Sequence, residues 1–230
     1  MKINTLESSI AEHQPLPDKI ANFVREAIIV GKLKPGEKIS EAKLADELHI
    51  SRTPIREAIR MLESEGFVSI IPRRGTIVSE FSLEDLYEYF QIKACLEGFA
   101  AAGVVGALTE RDLNKLKKLN EEEMAAIESG DFTHYLRIHD DFHQIFLART
   151  VNRKLFSLIQ HMGFHIRRLE KIFNDQPDIF VACSKTHASL IKAFEERDAA
   201  KVREIVERNI LHIAENLKRH GTGNREHGEN

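Results

Sequence analysis

The stretch SRTPIREAIRMLESEGF, from Ser51 to Phe67, decides the fold of the N-terminal part of this chain. Ser51 and Thr53 are residue types that begin helices, because their hydroxyls accept hydrogen bonds from first-turn amides. Pro54 suits that turn because its missing N–H would be unpaired there anyway. The apolar residues that follow recur at helical spacing: Ile55, Ile59 and Leu62. Arginines recur every four residues on another face: Arg52, Arg56 and Arg60. Gly66 ends the predicted helix, which is buried on one side and cationic on the other.

Such a helix suits the major groove of DNA, whereas the alternative is a solvated surface helix with scattered arginines. The flanking segments favour the first interpretation. Residues 40–50 open with a capping serine, carry Leu44, Ala45 and Leu48 on one face, and turn at His49–Ile50, which predicts a helix-turn-helix. Residues 67–79 contain two short β-branched runs around Pro72-Arg73-Arg74-Gly75, which predicts a hairpin with a basic tip. Together with an apolar helical stripe between residues 17 and 30, this pattern predicts a winged helix-turn-helix of three helices and a β-hairpin wing.

Four segments in this region resemble, in order, the N-terminal domain of GntR-superfamily bacterial transcription regulators. They are residues 31–39 (GKLKPGEKI), 44–48 (LADEL), 51–59 (SRTPIREAI) and 62–67 (LESEGF). The resemblance covers roughly residues 15–80 and implies binding to double-stranded DNA. We expect Arg52 and Arg56 to contact base edges, and the wing tip to lie in or along the minor groove. The full predicted DNA-binding set is Ser51, Arg52, Thr53, Pro54, Arg56, Arg73, Arg74, Gly75 and Thr76, of which Ser51, Thr53 and Thr76 are expected at phosphates.

Composition limits the class of protein. The 230 residues are 42% hydrophobic and 30% charged, and no apolar run approaches the ~20 residues of a membrane helix. The N-terminal residues have no signal-peptide core. Cys95 and Cys183 form no CxxC motif, so we expect buried free thiols in a reducing cytoplasm, with a disulfide between them as the alternative. The net charge is −3, which argues against nonspecific coating of nucleic acid, but residues 51–79 carry five Arg against three Glu.

After residue 81 the apolar periodicity is helical throughout. It predicts six helices at about 82–107, 109–129, 131–149, 151–173, 178–196 and 198–219, which form an all-α bundle. Two expected core stripes are Leu113/Leu116/Leu119 and Leu155/Leu158/Ile159/Met162. The predicted domains are therefore a winged helix-turn-helix at 1–80, a helical effector-binding and dimerisation domain at 81–220, and a disordered polar tail at 221–230.

The helical part resembles the FCD ligand-binding domain of FadR-type GntR regulators. The resemblance rests on Lys93-Ala-Cys-Leu-Glu97, on His139-Asp-Asp-Phe-His143 followed by Asn152, and on His187. Six helices favour the VanR-like subgroup. The family implies a small organic acid as effector, with Lys93 and Asn152 as candidate contacts, and a homodimer on a near-palindromic operator. Lys93 stands where the family usually has Arg, which weakens bidentate carboxylate binding.

A histidine cluster is the candidate metal site. His139 and His143 are four residues apart, so they are neighbours on one helix face and can chelate a divalent ion. Histidines bonded to a carboxylate or a carbonyl are the alternative. FCD domains often bind a metal through an Asp, a His four residues later and two further His about 22 residues apart. Here His139 takes the Asp position, while His143 and His187 match.

The fourth position of that set, 22 residues after His187, holds Asn209, a poorer ligand, and His212 lies one turn further. An imidazole set selects zinc or nickel. Two outcomes are open: a three-histidine metal site, or a cavity that has lost its metal. Asp140 and Asp141 are expected to orient the rings.

The leading prediction is a DNA-binding transcription regulator of the repressor type, controlled by a carboxylate effector. A metal-dependent enzyme using the histidines is the alternative, although the chain has no HExxH motif, nucleophile–base pattern or glycine-rich phosphate loop. The alternative of a nonspecific chromosome-binding protein conflicts with the negative net charge of the chain.

Overall fold

Three helices carry the apolar stripes of the N-terminal unit. The computed structural model describes residues 14–167 and 177–223, which divide into two units, one ending at Phe81 and one beginning at Ser82. In the first unit α1 spans Leu16–Ile29, α2 spans Glu41–Leu48 and α3 spans Arg52–Ser64. α3 buries four apolar residues: Ile55, Ala58, Ile59 and Leu62. Ser40 accepts a hydrogen bond from the Lys43 amide and so caps α2. The predicted three-helix core is confirmed.

The turns after α2 and α3 each contain one residue in the left-handed backbone conformation. α2 ends at His49, whose φ of 54° lies in the left-handed region, and Ile50 then donates to the Ala45 carbonyl. α3 ends in front of Gly66, whose φ is 80°. Glycine takes this conformation without steric cost, which explains why the helix ends where the sequence predicts.

A three-stranded antiparallel sheet completes the first unit. β1 spans Lys38–Ile39, β2 Val68–Ile71 and β3 Gly75–Val78, in the order β1-β3-β2. The predicted hairpin is therefore present, but the sequence did not indicate β1, because two residues are too few to show an alternation. Pairing on both sides leaves Thr76 in the middle of the sheet, opposite Ile39 and Ile70.

Six helices form the described part of the second unit. They are α4 (Leu83–Gly103), α5 (Glu110–Glu128), α6 (Phe132–Leu147), α7 (Arg153–Arg167), α8 (Pro177–Glu195) and α9 (Ala199–Gly223). α4 packs along α9 and against α7, while α5 packs between α6 and α8. α4 and α5 begin with capping boxes at Ser82/Asp85 and Thr109/Asp112. The all-α prediction for this half is confirmed.

Helix ends depart from the prediction in two places. α7 is described as far as Arg167, so the rest of the predicted span 151–173 lies outside the described residues. α9 continues through residues 221–223, so the first three residues of the predicted disordered tail are helical, and 224–230 lie outside the described residues.

Two predicted buried residues are exposed. Leu113, Leu116 and Leu119 are buried as predicted, but Leu158 is 55% exposed. It lies about 60° around α7 from Leu155, on the side away from Ile159. Cys183 is a buried free thiol, whereas Cys95 is a free thiol on the surface. Cys95 follows the buried Ala94 by one residue, which turns it about 100° away from the core. None of the described helices is both long and apolar enough to cross a membrane.

Candidate nucleic-acid interface and metal centre

The outer face of α3 presents its arginines to solvent. Arg52, Arg56 and Arg60 are exposed, while the opposite face of the helix is buried. The Arg56 side chain is 64% exposed, and its Nε donates to Glu41 Oε2 at 3.1 Å. Among the described residues no ion pair involves Arg52 or Arg60. The sequence-predicted cationic face is therefore accessible to a large anionic partner.

The first turn of α3 also faces solvent. Ser51 occupies the N-cap position with extended backbone, but its hydroxyl makes no capping hydrogen bond. The expectation that this hydroxyl satisfies a first-turn amide is therefore wrong. Ser51 and Thr53 are exposed and Pro54 is half-buried. Free amides at a helix N-terminus attract anions, and phosphate is the anion that DNA offers.

The tip of the wing is a strained turn. The Arg74 amide donates to the Ile71 carbonyl at 3.0 Å, which closes a β-turn with Pro72 and Arg73 at its centre. Arg73 has a φ of 66°, as the third residue of a type II turn requires. Glycine normally fills that position, and a side chain there costs about 1–2 kcal/mol. Arg73 and Arg74 are both exposed.

The two residues after the tip differ in access. Gly75 has a φ of 91°, and a Cβ there would meet Lys38 Cε at 3.3 Å, so the hairpin needs glycine at this point. Thr76 is only 4% exposed, because it shares the buried face of β3 with Val78. The predicted contact of the Thr76 side chain with a phosphate is therefore wrong for this structure.

Three histidines converge inside the second unit. His139, His143 and His187 each offer a ligand atom, and these atoms lie within 4.8 Å of one another. His139 and His143 come from α6 and His187 from α8. His143 Nε2 and His187 Nε2 are 3.2 Å apart. Two nitrogens bound to one tetrahedral zinc at about 2.0–2.1 Å are separated by about 3.3 Å. The spacing therefore suits a shared metal ion.

Two buried glutamates set the orientation of these rings. His143 Nδ1 donates to Glu97, and His187 Nδ1 donates to Glu123 at 2.8 Å. Because each Nδ1 carries the proton, both Nε2 lone pairs point at one another. Carboxylate–histidine pairs of this kind fix the tautomer of metal ligands. The predicted orienting residues Asp140 and Asp141 are exposed instead, and no hydrogen bond described for residues 14–167 and 177–223 joins them to the rings.

Glu123 is a buried carboxylate whose negative charge a nearby cation would stabilise. Its side chain is fully buried, and it accepts from the Ser184 hydroxyl and the Asn120 amide at 3.2 Å each. Glu123 Oε1 faces only His139 Nδ1, at 3.4 Å. No Lys or Arg pairs with Glu123 within the described part of the chain. A buried carboxylate without a cation is costly, so the donor set fits a divalent ion held by the three imidazoles.

The surroundings of the cluster keep the imidazoles of His143 and His187 neutral. They keep the carboxylates of Glu97 and Glu123 charged. Burial lowers the pKa of His143 to about 3, against the opposing effect of Glu97, and burial also lowers the pKa of His187. Burial alone would raise the pKa of Glu97, but the charge of Lys93 and the hydrogen bonds from Lys93 and His143 hold it well below its usual range. The contact with His139 and the hydrogen bond from His187 lower the pKa of Glu123 in the same way, again against burial. Neutral imidazoles are the form that binds metal.

The other predicted site residues separate into two groups. Lys93 and Asn209 line the cavity beside His139 and His143. His212 is exposed and does not line it. Asn152 is also outside the cavity, because its side chain accepts from the Leu155 amide at 3.1 Å and caps α7. The structure therefore gives Asn152 a structural position rather than the predicted effector contact.

Sequence reasoning missed the two glutamates of the cluster. Glu97 is the last residue of the Lys93–Glu97 segment, on which the resemblance rests, and in the structure it pairs with Lys93 four residues earlier on the same helix face. Glu123 ends the run Glu121-Glu122-Glu123, which has the appearance of a solvated charged face. Glu123 lies seven residues after Leu116, which is two helical turns further along the buried stripe of α5. Only this position in the sequence could have identified Glu123 as buried.

Comparison with known proteins identifies both parts of the chain. The family model described as bacterial regulatory proteins, gntR family, matches residues 16–78, and that of the FCD domain matches residues 88–212, more than half of the chain. The HTH-type transcriptional regulator McbR of Escherichia coli (strain K12) is 30% identical over 151 residues, 66% of this chain and 68% of that protein. The uncharacterized HTH-type transcriptional regulator YdhC of Bacillus subtilis (strain 168) is 29% identical over 200 residues, 86% of this chain and 88% of that protein.

Among solved structures, E. coli McbR/YncC has the same fold, with a TM-score of 0.72 and 24% identity over 90% of this chain and 99% of that chain. These relatives are transcriptional regulators, and nothing in the comparisons supports the metal-dependent enzyme considered from the histidines. The chain belongs to the gntR family of bacterial regulatory proteins, with an N-terminal helix-turn-helix domain and a C-terminal FCD domain.

Proposed function

We propose that this regulator represses transcription by binding a near-palindromic operator as a homodimer, with α3 in the major groove. The observation that carries the proposal is the two-sided character of α3, whose arginines are exposed while its four apolar residues are buried. Arg52 and Arg56 would donate to base edges, most readily to guanine. Ser51, Thr53 and Pro54 would lie at the phosphate backbone. Arg73, Arg74 and Gly75 would place the wing tip against the minor groove.

A second copy of the chain is the partner that a near-palindrome requires, because a two-fold protein matches a two-fold DNA site. An exposed apolar stripe on α4 supports this part of the proposal. Ile92 is 53% exposed and Phe99 is 59% exposed, and Cys95 lies between them on the surface. Their spacing of three and four residues makes one continuous stripe along the helix. If the α4 helices of the two copies cross in antiparallel orientation near Cys95, Ile92 of one copy would contact Phe99 of the other.

The helical domain would bind a small carboxylate effector beside the metal. Lys93 supplies a cation in the cavity, and His139, His143 and His187 would hold a zinc or nickel ion. Bound there, the ion would supply a Lewis-acidic position for the carboxylate. The effector would change the affinity of the protein for its operator only if it binds the DNA-free protein and the DNA-bound protein with different affinities. We also assign the domain to the VanR-like subgroup and the protein to the cytoplasm, where its DNA target lies.

Fluorescence anisotropy on the DNA upstream of the protein's own operon tests the proposal. Wild-type protein should bind with a strong dependence on salt, and Arg52→Ala should weaken binding by about tenfold or more, since one base-edge arginine contributes ~1–3 kcal/mol. Arg208→Ala is a matched control, because the Arg208 side chain is 69% exposed on α9 and pairs only at the surface. Equal losses in the two variants, or equal binding to unrelated DNA, would contradict the proposal.

A further inference from the structure

One arginine on the exposed face of α3 is held by a carboxylate from the neighbouring helix. Arg56 Nε donates to Glu41 Oε2 at 3.1 Å, whereas Arg52 and Arg60 form no ion pair within the described part of the chain. Glu41 is the first residue of α2, so the pair joins the two helices of the helix-turn-helix. A negative charge therefore lies beside the cationic face that is proposed to meet DNA.

Stability gives little reason for this pair. The side chains of Arg56 and Glu41 are 64% and 30% exposed, and ion pairs with such exposure contribute little to the free energy of folding. An acid in the first turn of α2 is favoured by the helix dipole, but that benefit does not require contact with Arg56. An acid at a DNA-binding face also repels phosphates, which lowers the affinity for any duplex. A role in choosing between DNA sequences would account for both the contact and its cost.

The pair leaves the far end of the Arg56 guanidinium available. A guanidinium has five N–H donors, one on Nε and two on each terminal nitrogen. Glu41 occupies the Nε donor, and neither terminal nitrogen of Arg56 forms a hydrogen bond with residues 14–167 or 177–223. Two parallel N–H groups are what the O6 and N7 atoms of guanine accept in the major groove. The pair therefore blocks an approach through Nε and preserves the approach through the two terminal nitrogens.

The backbone on both sides of the pair is firmly placed. Ile55 and Ala58 flank Arg56 and are completely buried, which fixes the turn of α3 that carries it. The Ser40 hydroxyl accepts from the Lys43 amide and fixes the first turn of α2, which carries Glu41. An arginine anchored both at its backbone and at its Nε loses little further freedom when it meets a base. Ordering a free side chain of this length costs about two- to tenfold in affinity.

We propose that Glu41 is a positioning residue that determines sequence specificity, because it holds Arg56 in the orientation that reads a guanine. On unrelated DNA an unrestrained arginine would turn to the nearest phosphate, and both the pair and the negative charge of Glu41 oppose that contact. Glu41 therefore lowers the affinity for DNA in general and raises the preference for the operator. This inference rests on the proposed function, in which Arg56 contacts a base edge.

The test is the ratio of affinities of the full-length protein for two duplexes at one salt concentration. One is the segment upstream of its own operon that wild-type protein protects in a footprint, and the other is a scrambled duplex of the same composition. Glu41→Ala should bind the scrambled duplex more tightly than wild type, which also shows that the variant is folded. Its ratio should fall about tenfold, because a loss of about threefold in each subunit multiplies over two half-sites. Glu57→Ala is the matched control: Glu57 is exposed beside Arg56 on α3 and forms no ion pair among the described residues, so the ratio should not change.

A double-variant cycle separates positioning from direct reading, because a carboxylate can itself accept from the amino group of cytosine. In the Arg56→Ala background, where Arg52 still discriminates, adding Glu41→Ala should leave the ratio unchanged. A further loss there would mean that Glu41 contacts a base directly and would overturn the inference. An undiminished ratio in Glu41→Ala alone, or an equal loss in Glu57→Ala, overturns it as well. In each case a wild-type ratio far above unity shows that the proposed function stands without it.

Discussion

Replacing Arg73 by glycine should stabilise the winged-helix unit while weakening its binding to DNA. Arg73 has a φ of 66° in the turn at the wing tip, where an L side chain is strained. Relief of that strain is worth about 1–2 kcal/mol, and the greater freedom of glycine in the unfolded chain offsets about 0.5–1 kcal/mol of it. We therefore expect a net gain of about 0.5–1 kcal/mol in the free energy of unfolding.

The same substitution removes one exposed guanidinium from the proposed DNA contact. Affinity should fall about equally for all operator sequences, and the slope of log K against log salt should become shallower by about 1. Arg74→Gly is the matched control. Arg74 is equally exposed but does not have a positive φ, so its replacement should weaken DNA binding without any gain in stability.

The chain offers an internal reference for the stability measurement. All three tyrosines, Tyr87, Tyr89 and Tyr135, belong to the second unit, and the chain has no Trp. Urea unfolding followed by tyrosine fluorescence should be the same for all variants. Far-UV circular dichroism reports both units, and the part of its unfolding curve that does not follow tyrosine fluorescence should shift to higher urea for Arg73→Gly only. A loss of stability in Arg73→Gly equal to that in Arg74→Gly, or an unchanged salt slope, would refute the argument from strain.

Three further predictions concern the helical half. Glu123→Gln should weaken zinc binding about 10–100-fold, measured by competition with a chelator, because the carboxylate orients His187 and balances the charge of the ion; equal zinc affinity would show that Glu123 is not coupled to the site. Phe99→Glu should shift the protein from dimer to monomer in light scattering, whereas Val151→Glu, at a residue 95% exposed outside the α4 stripe, should not; a dimer in both would place the interface elsewhere. Asp112→Asn should cost about 1 kcal/mol at pH 7, because Asp112 closes the capping box of α5 and accepts from Arg149 at 2.8 Å. Burial alone would raise the pKa of Asp112, but the hydrogen bonds from Thr109 and Arg149 and the charge of Arg149 lower it to about 2, below its ordinary value. A lowered carboxyl pKa stabilises the fold above the unfolded value, so the advantage of wild type over Asp112→Asn in urea melts should shrink as the pH falls from about 4 to 2; a difference that does not depend on pH would contradict this.

Local patterns were sufficient to predict most of the fold. The buried stripe of α3 and the glycine at Gly66 both follow from residues within a few positions of one another, which is the range at which capping and periodicity act. β1 could not be predicted, because Lys38 and Ile39 become a strand only through pairing with Ile77 and Thr76, almost 40 residues away.

The candidate site shows the same division between local and distant information. His139 and His143 were predicted as neighbours from their spacing on one helix, and the structure also brings His187 to them from α8. The exclusion of Asn152 and His212 depends on which way each side chain faces in the folded bundle, which spacing alone does not determine. Glu123 was missed for the same reason, because a glutamate in a charged run gives no sign that it is fully buried.

The central claim is that the exposed arginine face of α3 recognises a specific DNA sequence. Its most direct test is the ratio of affinities for an operator duplex and a scrambled duplex of the same composition, at one fixed salt concentration. We predict a ratio of about 10³ or more for wild type, falling towards unity in the Arg52→Ala/Arg56→Ala double variant while scrambled-duplex binding changes much less. A wild-type ratio near unity, or an undiminished ratio in the double variant, would contradict the claim.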